Sequence, residues 1–404
     1  MRNKKQSISV LICAVVLLAA AVLAGSWFFS RNRSSAAGVT VRYYDTMLSA
    51  GFASEDGFYH LNSTGFLYFF DYHTRRDVIV CSKPNCTHEV WYEDTPDEQR
   101  CHAYLQGSLV GAGFVQEDSL YLFYENLGTQ TTSVVRSGLD RTGSKKIADF
   151  ENTVILPFVV DEQFLYMSGG AILMEKDEDG MELPTGEDET WLFGVDLQTG
   201  AVTNLTERKR AYNSNMYIVG FYNGRIYYNE SYFETKYDGT NYKEAGHQVD
   251  WYAYDIQTGQ SERICEDQHF QEAYLYENKL ISMLGKGEGS GEERYAQIEI
   301  AVWDMDTGES KPVVTADKML DYADGKVFYA IEEEAGTHFY YYDIEKEKTV
   351  EMERSFKEYL HIRGVYGDYL LILKDDPDTG IGTFYAMLKQ DFYNEKENLI
   401  PLTW

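Results

Sequence analysis

Three cysteines and one histidine fall within a 21-residue stretch: Cys81, Cys86, His88 and Cys101. Thiolate sulfur and imidazole nitrogen are the preferred donors for zinc, and three of the first with one of the second complete a four-coordinate Cys3His site. His102 is a spare donor beside them. Four residues separate Cys81 from Cys86, a wide spacing for a knuckle. A disulfide is the other reading, and it suits an oxidising exterior. It would leave one of the three thiols over, because Cys265 lies three repeats away and Cys13 sits in an apolar run as a small hydrophobe. Zinc and disulfide both stay open at this point, and either role is structural.

Other side chains with chemistry are less concentrated. The acidic stretch 175–180, which includes Asp177 and Asp179, resembles a calcium loop in composition, as does 375–380. Neither closes the twelve-residue pattern with a bidentate glutamate, so both are expected to be solvated loops. Tyr232, Phe233, Tyr237 and Tyr242 stand among Asn and Gly in the stretch 229–248, a composition suited to sugar stacking or to a protein contact. Asp177 and Asp179 join these four as candidates for a binding face. No catalytic residue can be assigned: the histidines are scattered over different repeats, and no G-x-S-x-G, P-loop or H-E-x-x-H string occurs.

The elements that must position these residues begin at an N-terminal anchor. Arg2, Lys4 and Lys5 precede an apolar run over 8–29, closed by Arg31 and Arg33. At about 1.5 Å per helical residue this run spans roughly 33 Å, enough for one transmembrane helix. The expected layout is a cytoplasmic N-terminus over 1–7, a signal anchor over 8–29, a linker over 30–39 and an extracytoplasmic body over 40–404. Cleavage after Ala24 is the alternative, and it would secrete the same body. Removing the five basic residues of 1–33 from the total of 36 leaves 31 against 65 acidic ones, near −34. Such a field repels nucleic acid, so DNA and RNA are excluded as partners.

The body repeats. A turn tip followed by aromatic and β-branched residues recurs seven times, as in Glu55 to Tyr59, Glu117 to Tyr121, Asn223 to Tyr227 and Asp324 to Phe328. A second turn follows each, as in Asp255 to Gly259 and Asp304 to Gly308. The string Ala-Gly-Phe precedes the first two copies, at 50–52 and 112–114. Two hairpins per repeat make four strands, which predicts an all-β chain: a β-propeller of about seven four-stranded blades after one N-terminal transmembrane helix. The short turns then share one face, and the long connections 81–105, 175–190, 229–248 and 284–296 share the other.

The Tyr-Asp-x-x-Thr-Gly turns resemble those of TolB-like and YWTD-like propellers, and the run Cys81 to His88 with Cys101 resembles a loop of membrane-anchored propellers from Gram-positive anaerobes. The resemblance covers 40–404 and implies a fold and a cell-surface location. It carries over no catalytic residue. Two functions fit: a membrane-tethered binding or scaffolding module for an envelope protein, peptide or glycan, and a glycan-active hydrolase or lyase using carboxylates at the propeller channel.

Overall fold

The structure is a computed structural model, and it describes residues 42–44 and 51–404 apart from 93, 106–107, 127–130, 152, 235–246, 266–269, 287–296 and 358–359. The proposed cytoplasmic, transmembrane and linker segments lie outside the described residues. Among the described residues no helix is long and apolar enough to cross a membrane.

The described chain is almost wholly antiparallel sheet, with two one-turn helices at Arg354–Lys357 and Lys389–Tyr393. Five sheets are four-stranded up-and-down meanders, over 51–79, 108–151, 270–316, 318–352 and 360–401. The remaining nine-stranded sheet holds two further meanders, 153–204 and 209–265. They are joined where Glu187–Thr190 pairs with 209–212, and the strand Arg42–Tyr44 is added against 158–160. In chain order these make a first to a seventh meander.

Turn chemistry explains why the strands reverse where they do. Asn223 and Gly224 (φ 47° and 77°) and Asp324 and Gly325 (φ 52° and 65°) form two-residue tips with positive φ at both positions, the hairpin turn whose twist matches its strands. At the second tips an aspartate caps its own turn. Asp196, for example, accepts hydrogen bonds from the backbone N–H of Gln198 and Thr199. The Ala-Gly-Phe string has a packing cause. A Cβ on Gly113 would lie 2.6 Å from the Tyr121 carbonyl oxygen and 2.9 Å from the Phe52 ring, and one on Gly220 would lie 2.4 Å from Leu275 Cβ. At Gly113 and Gly220 a side chain would collide with the first strand of a neighbouring meander, and at Gly51 with the Tyr59 carbonyl of its own hairpin.

Seven hydrophobic cores lie between the meanders, one for each successive pair. Phe52, Leu67, Val115 and Leu122 unite the first with the second. Phe58 and Phe70 pack on Tyr366, Tyr369 and Leu371, uniting the seventh with the first. The C-terminus adds to that contact: the Thr403 N–H bonds to Asp77 at 2.7 Å, and Trp404 stacks between His60 and Phe384. The first and seventh meanders are thus brought together by burial of aromatic area, the dominant favourable term in folding.

Candidate functional site

The sequence 80–105 leaves the outer strand of the first meander (Arg76–Ile79) and returns across its far end. The Leu67 N–H bonds to the Ala103 carbonyl and the Leu105 N–H to the Gly65 carbonyl, both at 2.9 Å. These bonds fix the second half of the loop against the tight turn of 62–66. The loop is further tied internally. The Trp91 indole N–H donates to the Cys101 carbonyl at 3.0 Å, Arg100 lies over the Trp91 ring, and the Lys83 ammonium donates to the backbone carbonyls of Glu98 and Arg100.

Inside this frame the four predicted ligands converge. One donor atom from each of Cys81, Cys86, His88 and Cys101 lies within 4.8 Å of every other. His88 Nδ1 is 3.4 Å from Cys101 Sγ, close to the roughly 3.5 Å that tetrahedral bonds of about 2.05 and 2.3 Å impose between N and S ligands. All three cysteines are free thiols in this structure. Positive φ at Asn85 (59°) and His88 (54°) bends the loop tightly enough to turn Cys86 and His88 inward.

The surroundings act in opposite directions on two of the thiols. Burial raises the Cys81 thiol, but N–H groups of Lys83 and His102 and the neighbouring thiols of Cys86 and Cys101 bring it below its ordinary pKa. Cys101 is 2% exposed, and burial pushes its thiol up to about 12 despite bonds from the N–H groups of Ala103 and Tyr104. Backbone donors aimed at sulfur are the outer shell a thiolate-bound metal needs. His102, the spare candidate, gives its backbone to Cys81, while its buried Nδ1 has no hydrogen-bond partner among the described residues. The donor set therefore fits zinc.

No protein-family model and no curated protein sequence matches the chain. Solved structures do. Acylaminoacyl peptidase from Pyrococcus horikoshii matches at 15% identity and a TM-score of 0.48, over 86% of this chain and 51% of the peptidase. The β-propeller domain of the Trilobed protease from Pyrococcus furiosus matches at 14% and 0.44, over 86% and 95%. An oligogalacturonate lyase in complex with manganese matches at 12% and 0.46, over 88% and 92%. The chain spans about half the length of the acylaminoacyl peptidase. These are resemblances only, and the architecture above rests on the sheets and their cores.

The remaining candidates are placed differently from one another. Asp177 caps the tip of a long ribbon formed by the strands Phe164–Lys176 and Glu182–Asp196, accepting from the N–H groups of Asp179 and Met181. That carboxylate is spent on its own turn, as is Asp376, which caps 376–380 in the second calcium-like stretch. Asp179 is exposed at the ribbon tip. Phe233 is buried, at 5% exposure, and offers no ring face to solvent. Tyr232 is half-buried: its hydroxyl donates to Asp250 at 3.0 Å and the Lys209 ammonium lies over its ring. Tyr237 and Tyr242 lie outside the described residues.

Tyr232 leads to a cluster the sequence reading missed. Glu230 and Asp250 face each other across adjacent strands, both buried. Lys209 bonds to Glu230 at 2.5 Å and Arg263 to Asp250 at 2.5 Å. Arg208 and Arg210 pair with Glu189 and Glu187. The signal was the basic run 208–210 in an acidic chain, each member of which meets its own carboxylate.

Proposed function

We propose that this chain is a seven-bladed propeller, tethered to the membrane through 8–29 and held outside it, that serves as a binding or scaffolding module for an envelope protein, peptide or glycan. A structural zinc on Cys81, Cys86, His88 and Cys101 stiffens its largest inter-blade loop. The observation that carries this reading is where the extra chain goes. Six cores between consecutive meanders and a seventh between the last and the first make a rigid support. The long connections extend from one side of it, either as ribbons continuing the strands or as the cysteine loop. Adaptable loops on a rigid scaffold are the usual design of a recognition surface.

A hydrolase or lyase is the second reading, favoured by the facing pair Glu230 and Asp250. Against it, each carboxylate is held by a cation, and Asp250 by the Tyr232 hydroxyl as well. A carboxyl that works on a substrate must offer it an oxygen, and here the oxygens are taken by Lys209, Arg263 and Tyr232. The test is to incubate the full chain with cell-envelope polysaccharide and peptide fractions, measuring retention and product together. Retention without product is expected, unchanged by Asp250→Asn. Product formation abolished by that substitution in a folded protein would establish the enzyme instead.

A further inference from the structure

A groove of about 790 Å3 runs between the first and second meanders, opening where four of their hairpin tips converge. The short turns of the repeats line this side. Its floor is apolar: Tyr59 and Phe69 line it, together with Val78 and Leu139, which are 47% and 38% exposed. Around that floor stand six carboxylates, Glu55, Asp56 and Asp71 from the first meander and Glu117, Asp118 and Asp140 from the second. None of the lining residues is a lysine or arginine.

An acidic rim is unremarkable in a chain of net charge −29. The contrast with other carboxylates is what matters. Between the third and fourth meanders Lys209, Arg208, Arg210 and Arg263 take the acids one by one, and Lys279 and Lys389 do so at Asp304 and Asp324. In the groove, among the described residues, the only ion pair is His73 with Asp56 at 3.5 Å, and it requires a protonated imidazole. Asp71 and Asp140 accept hydrogen bonds from their own turns, which lowers the pKa of both and keeps them charged. An apolar trough between two uncompensated negative walls suits a long aliphatic stem ending in an ammonium group, whose methylenes bury while its head stays at the rim. The volume lies in the range that accommodates a small ligand.

We propose that this groove binds an extended, lysine-bearing peptide segment, its aliphatic stems over Val78 and Leu139 and its ammonium groups on the two carboxylate walls. The inference rests on the binding-module reading and gives it a partner chemistry. The test is fluorescence anisotropy on the full chain with a labelled hexapeptide of alternating lysine and leucine. Saturable binding is expected, weakened about 10-fold by Glu117→Gln with Asp118→Asn, as two partly exposed ion pairs imply. Val78→Thr, which keeps shape and removes apolar contact, is expected to weaken it about 3-fold. Glu309→Gln with Asp378→Asn makes the same charge change elsewhere and is expected to alter nothing. Equal weakening by the distant pair would reduce the effect to net charge and overturn the groove, as would spermine binding as tightly as the peptide. All variants alter exposed tips or an edge strand, so an unchanged melting temperature checks the fold. Failure of the peptide to bind while envelope fractions are still retained would remove the groove and leave the binding module standing.

Discussion

Chelation of the full chain is expected to loosen one loop and leave the blades alone. The loop 80–105 is attached by the bonds of Leu67 with Ala103 and Leu105 with Gly65, and by a small core of Phe66, Cys101 and Ala103. That core is too small to hold a 26-residue connection by itself, so the ligand cluster has to supply the rest. A metal that binds only the closed loop raises its opening free energy by RT ln(1 + [Zn]/Kd), about 2.7 kcal/mol at a free zinc 100 times Kd, and slows exchange about 100-fold. Hydrogen exchange read by mass spectrometry, with and without chelator at one pH, is the assay. Peptides covering 80–105 are expected to lose about 100-fold protection, while the strands Lys326–Glu333 and Tyr369–Asp375 of the sixth and seventh meanders keep theirs. Uptake has a proton signature too. Burial keeps Cys101 protonated up to about 12 in the metal-free loop, so zinc must displace that proton, and affinity is expected to rise with pH. Unchanged exchange on chelation, together with no stoichiometric zinc after purification without chelator, would refute the metal centre. A mass deficit of two hydrogens would instead assign the loop to a disulfide.

Two further predictions concern buried charges. Lys357 is 2% exposed and donates to Asp321 at 2.5 Å and to the Leu360 carbonyl at 2.8 Å, so Lys357→Met leaves Asp321 an uncompensated buried acid. A loss of about 3–5 kcal/mol in urea unfolding is expected, largely recovered on adding Asp321→Leu; a single variant within about 1 kcal/mol of the parent would contradict the pairing. At Asp324 burial raises the carboxyl, but the hydrogen bond and charge of Lys389, with Lys326 and the Tyr393 hydroxyl, outweigh it and hold the pKa below the ordinary value. A depressed folded pKa contributes stability above about pH 4 that is lost as pH falls through the folded value. Asp324→Asn is therefore expected to cost about 2 kcal/mol at pH 7 and progressively less as the pH falls below about 4, and a deficit that does not change with pH would show that the charge is not responsible.

How much was legible follows from the range of each interaction. Turns are local, so the tips at 223–224, 324–325 and 304–308 were readable from Asn, Asp and Gly alone, and with them the four-strand repeat. The cysteine cluster was readable because its members lie on one connection. The buried charge clusters were not, since the acids Glu230 and Asp250 are brought side by side by strand register and Lys357 meets Asp321 across 36 residues, and no spacing rule reports either. The stretches 175–190 and 229–248 read as loops in the sequence; in the structure the first is a ribbon, and the second continues its strands as far as Phe233 and from His247. The polar composition of the ribbon tip around 175–184 reflects its exposure, which hides a strand from a reading based on alternation.

Charge ties these results together. A chain with 65 acidic and 36 basic residues cannot pair every carboxylate, so where the bases go is informative. Within the fold, Lys209 and Lys357 sit beside carboxylates that would otherwise be buried unpaired, at large cost. Exposed carboxylates cost little to leave alone, and most of the acid surplus is spread over such positions. The groove between the first two meanders departs from this pattern, because its six acids converge on exposed apolar side chains that gain from being covered. Desolvating that floor under a neutral ligand would bring like charges into a drier space and cost free energy, whereas a ligand carrying ammonium groups gains from both walls as it covers the floor. The same geometry thus selects for positive charge and aliphatic length together, and neither alone should bind as well.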